Sequence, residues 1–311
     1  MHVLATGANG MLGRDLCVLL EQAGHKVVRT DRAAPVNEVV PEWEPLDITD
    51  TDAVKKCLLH HQPDVVIHGA ACTDVDGCER DPDRAYKING LGTWNVAAIC
   101  GNHNMTLAYI STEFVFDGTK KTPYTEFDTP NPLSHYGMSK YAGEKFVAQL
   151  CRRHFIVRTA WLFGVYGGKS FPDKILELAK THKERFIVTD QIGSPTHTID
   201  LSRALIDLLD SPLYGTYHIT NAGQCSWYEL ARKTLELAGE TGMEVKPVPA
   251  SQYSSPTKRP AYSVLHRCAL EIQGKDNLRP WQQALADFID RRQQVQALTP
   301  NSSPKIGRGE I

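Results

Sequence analysis

The sequence predicts an α/β fold: a doubly wound parallel sheet over the first half of its 311 residues, followed by a smaller C-terminal lobe. Two observations carry this. From residue 2 onward, short β-branched runs alternate with longer stretches of helical period, the order expected of parallel strands joined by crossover helices. After residue 164 the rhythm loosens, and 240–280 is interrupted by prolines and serines, as in a lobe laid over the carboxyl edge of the strands.

In chain order, "HVLAT" is the first strand and 10–23 the first helix. "KVVRT" precedes a helix over 50–61, which Thr49 or Asp50 can cap and "QPD" closes before the strand "DVVIH". A helix over 79–100, the strand "TLAYI", a helix over 134–151 and the strand "FIVRT" follow. Later come helices near 170–182, 198–210, 226–239 and 281–293, with strands at "RFIV" and "GTYHI", some of which can extend the first sheet. The closing "NSSPKIGRGEI" has almost no apolar content and reads as a mobile tail.

A hydrophobic content of 41% is enough for a sizeable core, and a formal net charge of -2 gives no field favouring nucleic acid or an anionic membrane. No stretch approaches the ~20 apolar residues of a membrane span, and the apolar start is too short for a signal-peptide core. A cytoplasmic protein is the expectation. The eight cysteines include no C-x-x-C and are expected to be reduced, mostly buried thiols; the twelve histidines form no H-E-x-x-H, the adjacent His60 and His61 read as structural, and no ligand cluster compels a metal, whose use the sequence leaves open.

Between the first strand and first helix lie Gly7, Asn9, Gly10, Met11, Leu12 and Gly13, a G-x-x-G-x-x-G spacing. Glycines there permit a tight turn and let backbone approach a pyrophosphate that faces the helix N-terminus. Asp31 closes the second strand, where a carboxylate meets ribose hydroxyls and favours NADH. Arg32 beside it, with Arg14, could instead cradle a 2′-phosphate, so NADPH and NADH both remain open. Asp47 and Ile48 in "LDITD" are placed to bond the adenine amine and cover its face.

In "YGMSK", Tyr136 and Lys140 stand at i and i+4, on one face of a helix. A nearby ammonium would lower the phenol from its usual ~10 and make it a better acid-base group. Thr112, at the carboxyl end of the preceding strand, faces the crevice where open α/β sheets bind ligands, so the three can converge on one carbonyl.

The segments "GANGMLG", "GAACTDVDGCERDPDRAYKIN", "STEFVFDG", "YGMSKYAGE", "VRTAWLFG", "DQIGSPT", "RPAYSVL" and "LRPWQQAL" follow one another in this order. Over nearly the whole chain to about residue 293, the sequence resembles the extended short-chain dehydrogenase/reductases and, within them, the dTDP-4-dehydrorhamnose reductases. That resemblance implies a Rossmann-type NAD(P)-binding domain over 1–163, joined by parts of 186–220, a mainly substrate-binding lobe over 164–294 and a flexible tail over 295–311. It implies Tyr136 as proton donor, Lys140 as its assistant and Thr112 as hydroxyl partner. Gly69, Ala70, Ala71 and Thr73 would line the cofactor, Glu113 and Trp161 the sugar, and Asn89 would shape the site or serve as a structural hydrogen-bonder. The implied reaction is NADPH- or NADH-dependent reduction of the C4 ketone of dTDP-4-dehydro-L-rhamnose. Another nucleotide-deoxysugar ketoreductase, a non-catalytic regulatory subunit of the same fold and a homodimer are also within the resemblance.

Two departures stand out. The family usually writes "STDYVF" where this chain has Glu113-Phe114, and Gly77-Cys78 replaces a more usual Lys-Ala pair at the mouth of the site.

Overall fold

The computed structural model describes residues 1–33, 43–166, 170–252 and 255–298. Its centre is a seven-stranded sheet of β1 (His2–Thr6), β2 (Lys26–Asp31), β3 (Trp43–Pro45), β4 (Val65–His68), β5 (Thr106–Thr112), β6 (His154–Thr159) and the strand Gly215–His218. The spatial order is Gly215–His218, β6, β5, β4, β1, β2, β3, with every pairing parallel. The chain runs outward from β1 in one direction through β3, then crosses to β4 and proceeds the other way. The carboxyl ends of β1 and β4 therefore border the switch point where such sheets bind ligands.

Strands buried on both faces explain the unbroken apolar runs. Val3 and Ala5 point to one face, against Leu12, Leu16 and Leu20 of α1 (Met11–Gln22) and Leu201, Leu205 and Leu208 of the helix Thr198–Leu209. Leu4, Val28, Val66 and Leu107 point to the other, against Val54 of α2 (Thr51–His61), Val96 and Val147. Asp50 caps α2 by accepting from Ala53 N–H at 3.0 Å, and Gln62 ends it at φ 45°. A third cluster joins Phe163, Leu176, Leu230, Trp281, Leu285 and Phe288, all beyond β6.

The predicted elements recur with three differences. The helix expected over 79–100 is broken: Val75–Arg80 stops at Asp81, whose carboxylate caps Pro82–Ala85, and a wide π turn over Tyr86–Gly92 leads into Thr93–Asn102. "RFIV" does not extend the main sheet; Glu184–Val188 pairs in parallel with Glu244–Val248, a strand hidden in the proline-containing 240–280 stretch. The last helix runs over Trp281–Leu298, four residues into the expected tail, and 299–311 lie outside the described residues. The cysteines are free thiols, all buried except the partly exposed Cys268. Among the described residues no helix is long and apolar enough to cross a membrane.

Candidate active site

The glycine turn, the carboxyl ends of β4 and β5, and the start of the helix His135–Leu150 surround one cleft of about 1260 Å³. Gly7 takes φ +70°, and a Cβ there would stand 2.7 Å from the Ala70 backbone nitrogen. Only glycine lets the two loops approach this closely. Substituting Gly7→Ala is expected to weaken reduced-nicotinamide binding at least about tenfold, read by fluorescence titration, with about 1–2 kcal/mol of stability lost to the left-handed backbone; unchanged affinity would remove the turn from the binding site.

Gly10, Met11, Leu12, Gly13, Asp31, Arg32, Asp47, Ile48, Gly69, Ala70, Ala71 and Thr73 all line the cleft. Asn9 is not among the lining residues; its backbone N–H donates to Asp31 Oδ2 at 3.1 Å. The other Asp31 oxygen accepts from Arg32 N–H at 2.7 Å, so this carboxylate braces the turn as well as facing the cleft. Asp47 accepts from the Thr49 N–H at 2.9 Å and hydroxyl at 2.8 Å, and these bonds hold it below the usual carboxylate range. Ile48 is buried in the core on that side of the sheet, and its carbonyl accepts from Asn95 at 3.0 Å. Arg14 lies over the Tyr166 ring at 5.4 Å, outside the cleft lining.

Thr112, Glu113, Tyr136, Lys140 and Trp161 share the same cleft. Ser134 caps the Tyr136 helix by accepting from Gly137 N–H at 3.1 Å. A Cβ on Gly137 would fall 2.2 Å from the Phe114 carbonyl oxygen, so this glycine lets the helix start press against the turn following β5. That contact brings Tyr136 to Thr112. Asn89 is wholly buried and fully bonded: it accepts from Cys72 N–H at 2.7 Å and donates to the Cys72 carbonyl at 3.1 Å and to Ser139 Oγ at 3.0 Å. It thus ties the loop after β4 to the helix bearing the tyrosine, as a structural clamp.

The expected acidic phenol is not what the structure shows. Tyr136 is raised well above its ordinary value, first by burial and then by the negative charge of Glu113, with the facing Thr112 hydroxyl offsetting part of the rise. Phe114 packs edge-on against it with ring centres 5.4 Å apart, and Cys72, Cys78 and Ala85 lie beneath. The amine of Lys140 is directed elsewhere, donating to the Ile110 carbonyl at 2.6 Å and sitting 4.1 Å over the Tyr109 ring. Burial brings Lys140 down to about 7. Desolvation outweighs the spacing argument, since both groups leave water together. A phenol kept protonated at neutral pH is nonetheless the correct state for a donor.

Glu113 is buried and raised to about 7, chiefly by desolvation, and accepts from the Thr112 hydroxyl at 2.8 Å. The Gly77-Cys78 departure enters packing: Asp74 caps the Gly77 N–H at 2.9 Å, and Cys78 Sγ lies 3.6 Å from Cys72 Sγ. Trp161, at φ 45°, stacks on Trp227 with ring centres 3.5 Å apart and planes 7° from parallel.

The sequence reading missed Phe171, Trp227 and Arg259, which also line the cleft. Arg259 is the first residue of the quoted segment "RPAYSVL", which could have flagged it, and it bonds Asp76 at 3.0 Å. Trp227 carries no local signal, because only the folding of a distant helix onto Trp161 brings it there.

The family model described as the RmlD substrate binding domain matches residues 1–294. The spore coat polysaccharide biosynthesis protein SpsK of Bacillus subtilis (strain 168) is 40% identical over 93% of this chain and 97% of its own length. A dTDP-4-keto-6-deoxy-D-glucose reductase of Streptomyces niveus is 37% identical, covering 91% and 94%. Among solved structures, a dTDP-4-dehydrorhamnose reductase from Clostridium acetobutylicum ATCC 824 superposes with a TM-score of 0.87 at 43% identity, covering 94% of this chain and 100% of that one. The dTDP-4-dehydrorhamnose reductase of Bacillus anthracis str. Ames in complex with NADP gives 0.87 at 38% identity, covering 93% and 99%.

Proposed function

This chain belongs to the family of the RmlD substrate binding domain, and from that premise we propose that it reduces the C4 ketone of a dTDP-linked 6-deoxyhexose with NADPH or NADH, dTDP-4-dehydro-L-rhamnose being the preferred substrate. The observation that carries the reading is the meeting of Thr112, Tyr136 and Lys140 in one cleft with the glycine turn. A dinucleotide fits the residues present, because the turn at Gly7 leaves room only for backbone and α1 begins directly behind it. When bound, the nicotinamide supplies the hydride.

The chain's own groups do the rest. Gly7, Gly10 and the first N–H groups of α1 would receive the pyrophosphate, Asp31 and Arg32 would meet the adenosine ribose, and Asp47 and Ile48 would take the adenine. Tyr136 gives its proton to the oxygen left by carbonyl reduction, and Thr112 helps fix that oxygen. Lys140, buried one turn along the same helix as the phenol, adds positive charge and a donor for the ribose. Trp161 offers a flat apolar face to the deoxyhexose, and Arg259 a charge for the diphosphate. In this reading 1–163, with the strand Gly215–His218, holds the dinucleotide, while 164–294 mainly selects the sugar.

The Glu113-Phe114 departure supports a second reading, a 4-keto-6-deoxysugar of different stereochemistry. No membrane or nucleic-acid partner is required, and a cytoplasmic, homodimeric enzyme suits the reaction. The test is loss of reduced-nicotinamide absorbance when each cofactor is paired with a panel of dTDP-4-keto sugars. Turnover is expected with a dTDP-4-keto-6-deoxyhexose; dinucleotide binding without turnover of any of them would favour a regulatory subunit.

A further inference from the structure

At the β3 edge of the sheet a thiol, an imidazole and a carboxylate come together from two elements. Cys57 and His61 stand at i and i+4 on α2, so both lie on one face of its C-terminal end. β3 supplies the third group. Trp43 packs against the core on the α1 side of the sheet, so the alternation of an extended strand turns Glu44 to the other face, where Cys57 packs from α2. His61 Nε2 is 2.5 Å from Glu44 Oε2, and one donor atom from each of Glu44, Cys57 and His61 lies within 4.8 Å of the other two. Among the described residues, no other three His, Cys, Asp or Glu side chains meet in this way. The thiol is buried, whereas the imidazole and carboxylate are 20% and 36% exposed, which leaves an approach from solvent. The rings of His60 and His2 stand edge-on to His61, with centres 4.8 and 6.3 Å away, and hold its plane.

An ion pair between His61 and Glu44 needs no thiol beside it; a metal uses all three. Sulfur, nitrogen and oxygen together suit a borderline-soft cation rather than Ca²⁺ or Mg²⁺, which take oxygen ligands. Around tetrahedral Zn²⁺, with bonds of about 2.0–2.3 Å, donors stand about 3.3–3.6 Å apart. To reach that spacing the imidazole and carboxylate separate slightly and the sulfur closes in, movements of about 1 Å that side-chain torsions supply. We infer that Glu44, Cys57 and His61 form a zinc site, with solvent completing the coordination, that fastens the edge strand β3 to α2. Binding forms three metal–protein bonds and sends the Cys57 thiol proton to solvent; nothing is oxidised or reduced. The consequence is mechanical. β3 has three residues and a single neighbouring strand, and the chain that follows it contributes Leu46, Asp47 and Ile48 to the cleft. A clamp at Glu44 steadies that wall. The inference stands independently of the reductase reading.

The test takes the full-length protein, freed of metal by a chelator and kept reduced with a phosphine, and titrates it with Co²⁺ and then Zn²⁺. Co²⁺ should bind at one equivalent per chain and give both a near-ultraviolet thiolate-to-metal charge-transfer band and the intense visible bands of a tetrahedral ion. Zn²⁺ should displace it and raise Tm. Cys57→Ala should abolish the charge-transfer band and weaken Zn²⁺ at least about a hundredfold, beyond the cost of losing a residue that only supports a ligand. His61→Ala keeps the thiol and should weaken Zn²⁺ by a similar factor. Wild-type protein that shows no thiolate band with Co²⁺ overturns the site, whether or not the variants fold. So does a band that survives in Cys57→Ala, which would belong to other cysteines, or a Zn²⁺ affinity unchanged in His61→Ala. Turnover is read separately: zinc-binding protein that reduces no keto sugar loses the reductase reading and keeps the metal site.

Discussion

Tyr136→Phe is expected to lower kcat about a thousandfold while leaving the dissociation constant for reduced nicotinamide within a few-fold of wild type. The substitution removes one oxygen and keeps the ring, so the packing with Phe114, Cys72 and Cys78 survives. What disappears is, among the described residues, the only phenol in the cleft lining. Because burial and Glu113 hold Tyr136 above its ordinary value, the hydroxyl is protonated throughout the neutral range before hydride arrives. Its proton becomes useful only as negative charge builds on the carbonyl oxygen, so the loss should fall on kcat more than on KM. Stopped-flow absorbance gives the rate and fluorescence titration the affinity. Wild-type turnover in this variant would remove Tyr136 from the reaction.

The second large effect concerns stability. Arg158→Met should destabilise the fold by about 3–5 kcal/mol, measured by denaturant unfolding. Arg158 and Glu144 are both buried and paired at two points, Nε to Oε1 at 2.9 Å and Nη2 to Oε2 at 2.7 Å. Ser111 donates to the same carboxylate at 2.6 Å, and the guanidinium lies 5.1 Å from the Phe116 ring centre. Removing the arginine strands a carboxylate in the core, because neighbouring His218 is held neutral, driven down to about 3 by burial and by Arg158 itself. The double change Arg158→Met with Glu144→Leu should recover most of the loss, since neither charge is then unpaired. Glu144 is also the one group that pulls the Lys140 amine upward, so the pair supports the chemistry from beneath. A single variant as stable as wild type would show that the ion pair is replaceable.

Much of the sheet is legible in the primary structure because each strand is buried on both faces and each crossover helix on one. Val3 and Leu4 are adjacent in sequence yet feed opposite cores, a pattern only an enclosed parallel strand produces. The three-residue strand Trp43–Pro45 and the strand Glu244–Val248 escaped notice because they are short, half-exposed and contain proline. The break at Asp81 was written in Asp81-Pro82, a cap followed by a helix-initiating proline, but the apolar period across 79–100 masked it.

The positions of the candidate groups were likewise legible: the glycine turn, Thr112, Tyr136, Lys140 and Trp161 reach one cleft because their places at strand ends and helix starts are properties of local sequence. Their protonation was not. The i, i+4 spacing puts Lys140 and Tyr136 on one helix face, but which neighbour each meets depends on β5, whose Ile110 carbonyl takes the amine, and on the turn after it, where the charge of Glu113 acts on the phenol. Sequence alone therefore determined the sheet, the turn and the residues offered to the cleft, through periodicity and backbone sterics that act over a few residues. Only the tertiary structure decided that the phenol is held protonated, that burial lifts Glu113 to about 7 and that Trp227 covers Trp161, because desolvation and long-range contact exist only after distant segments have excluded water from between them.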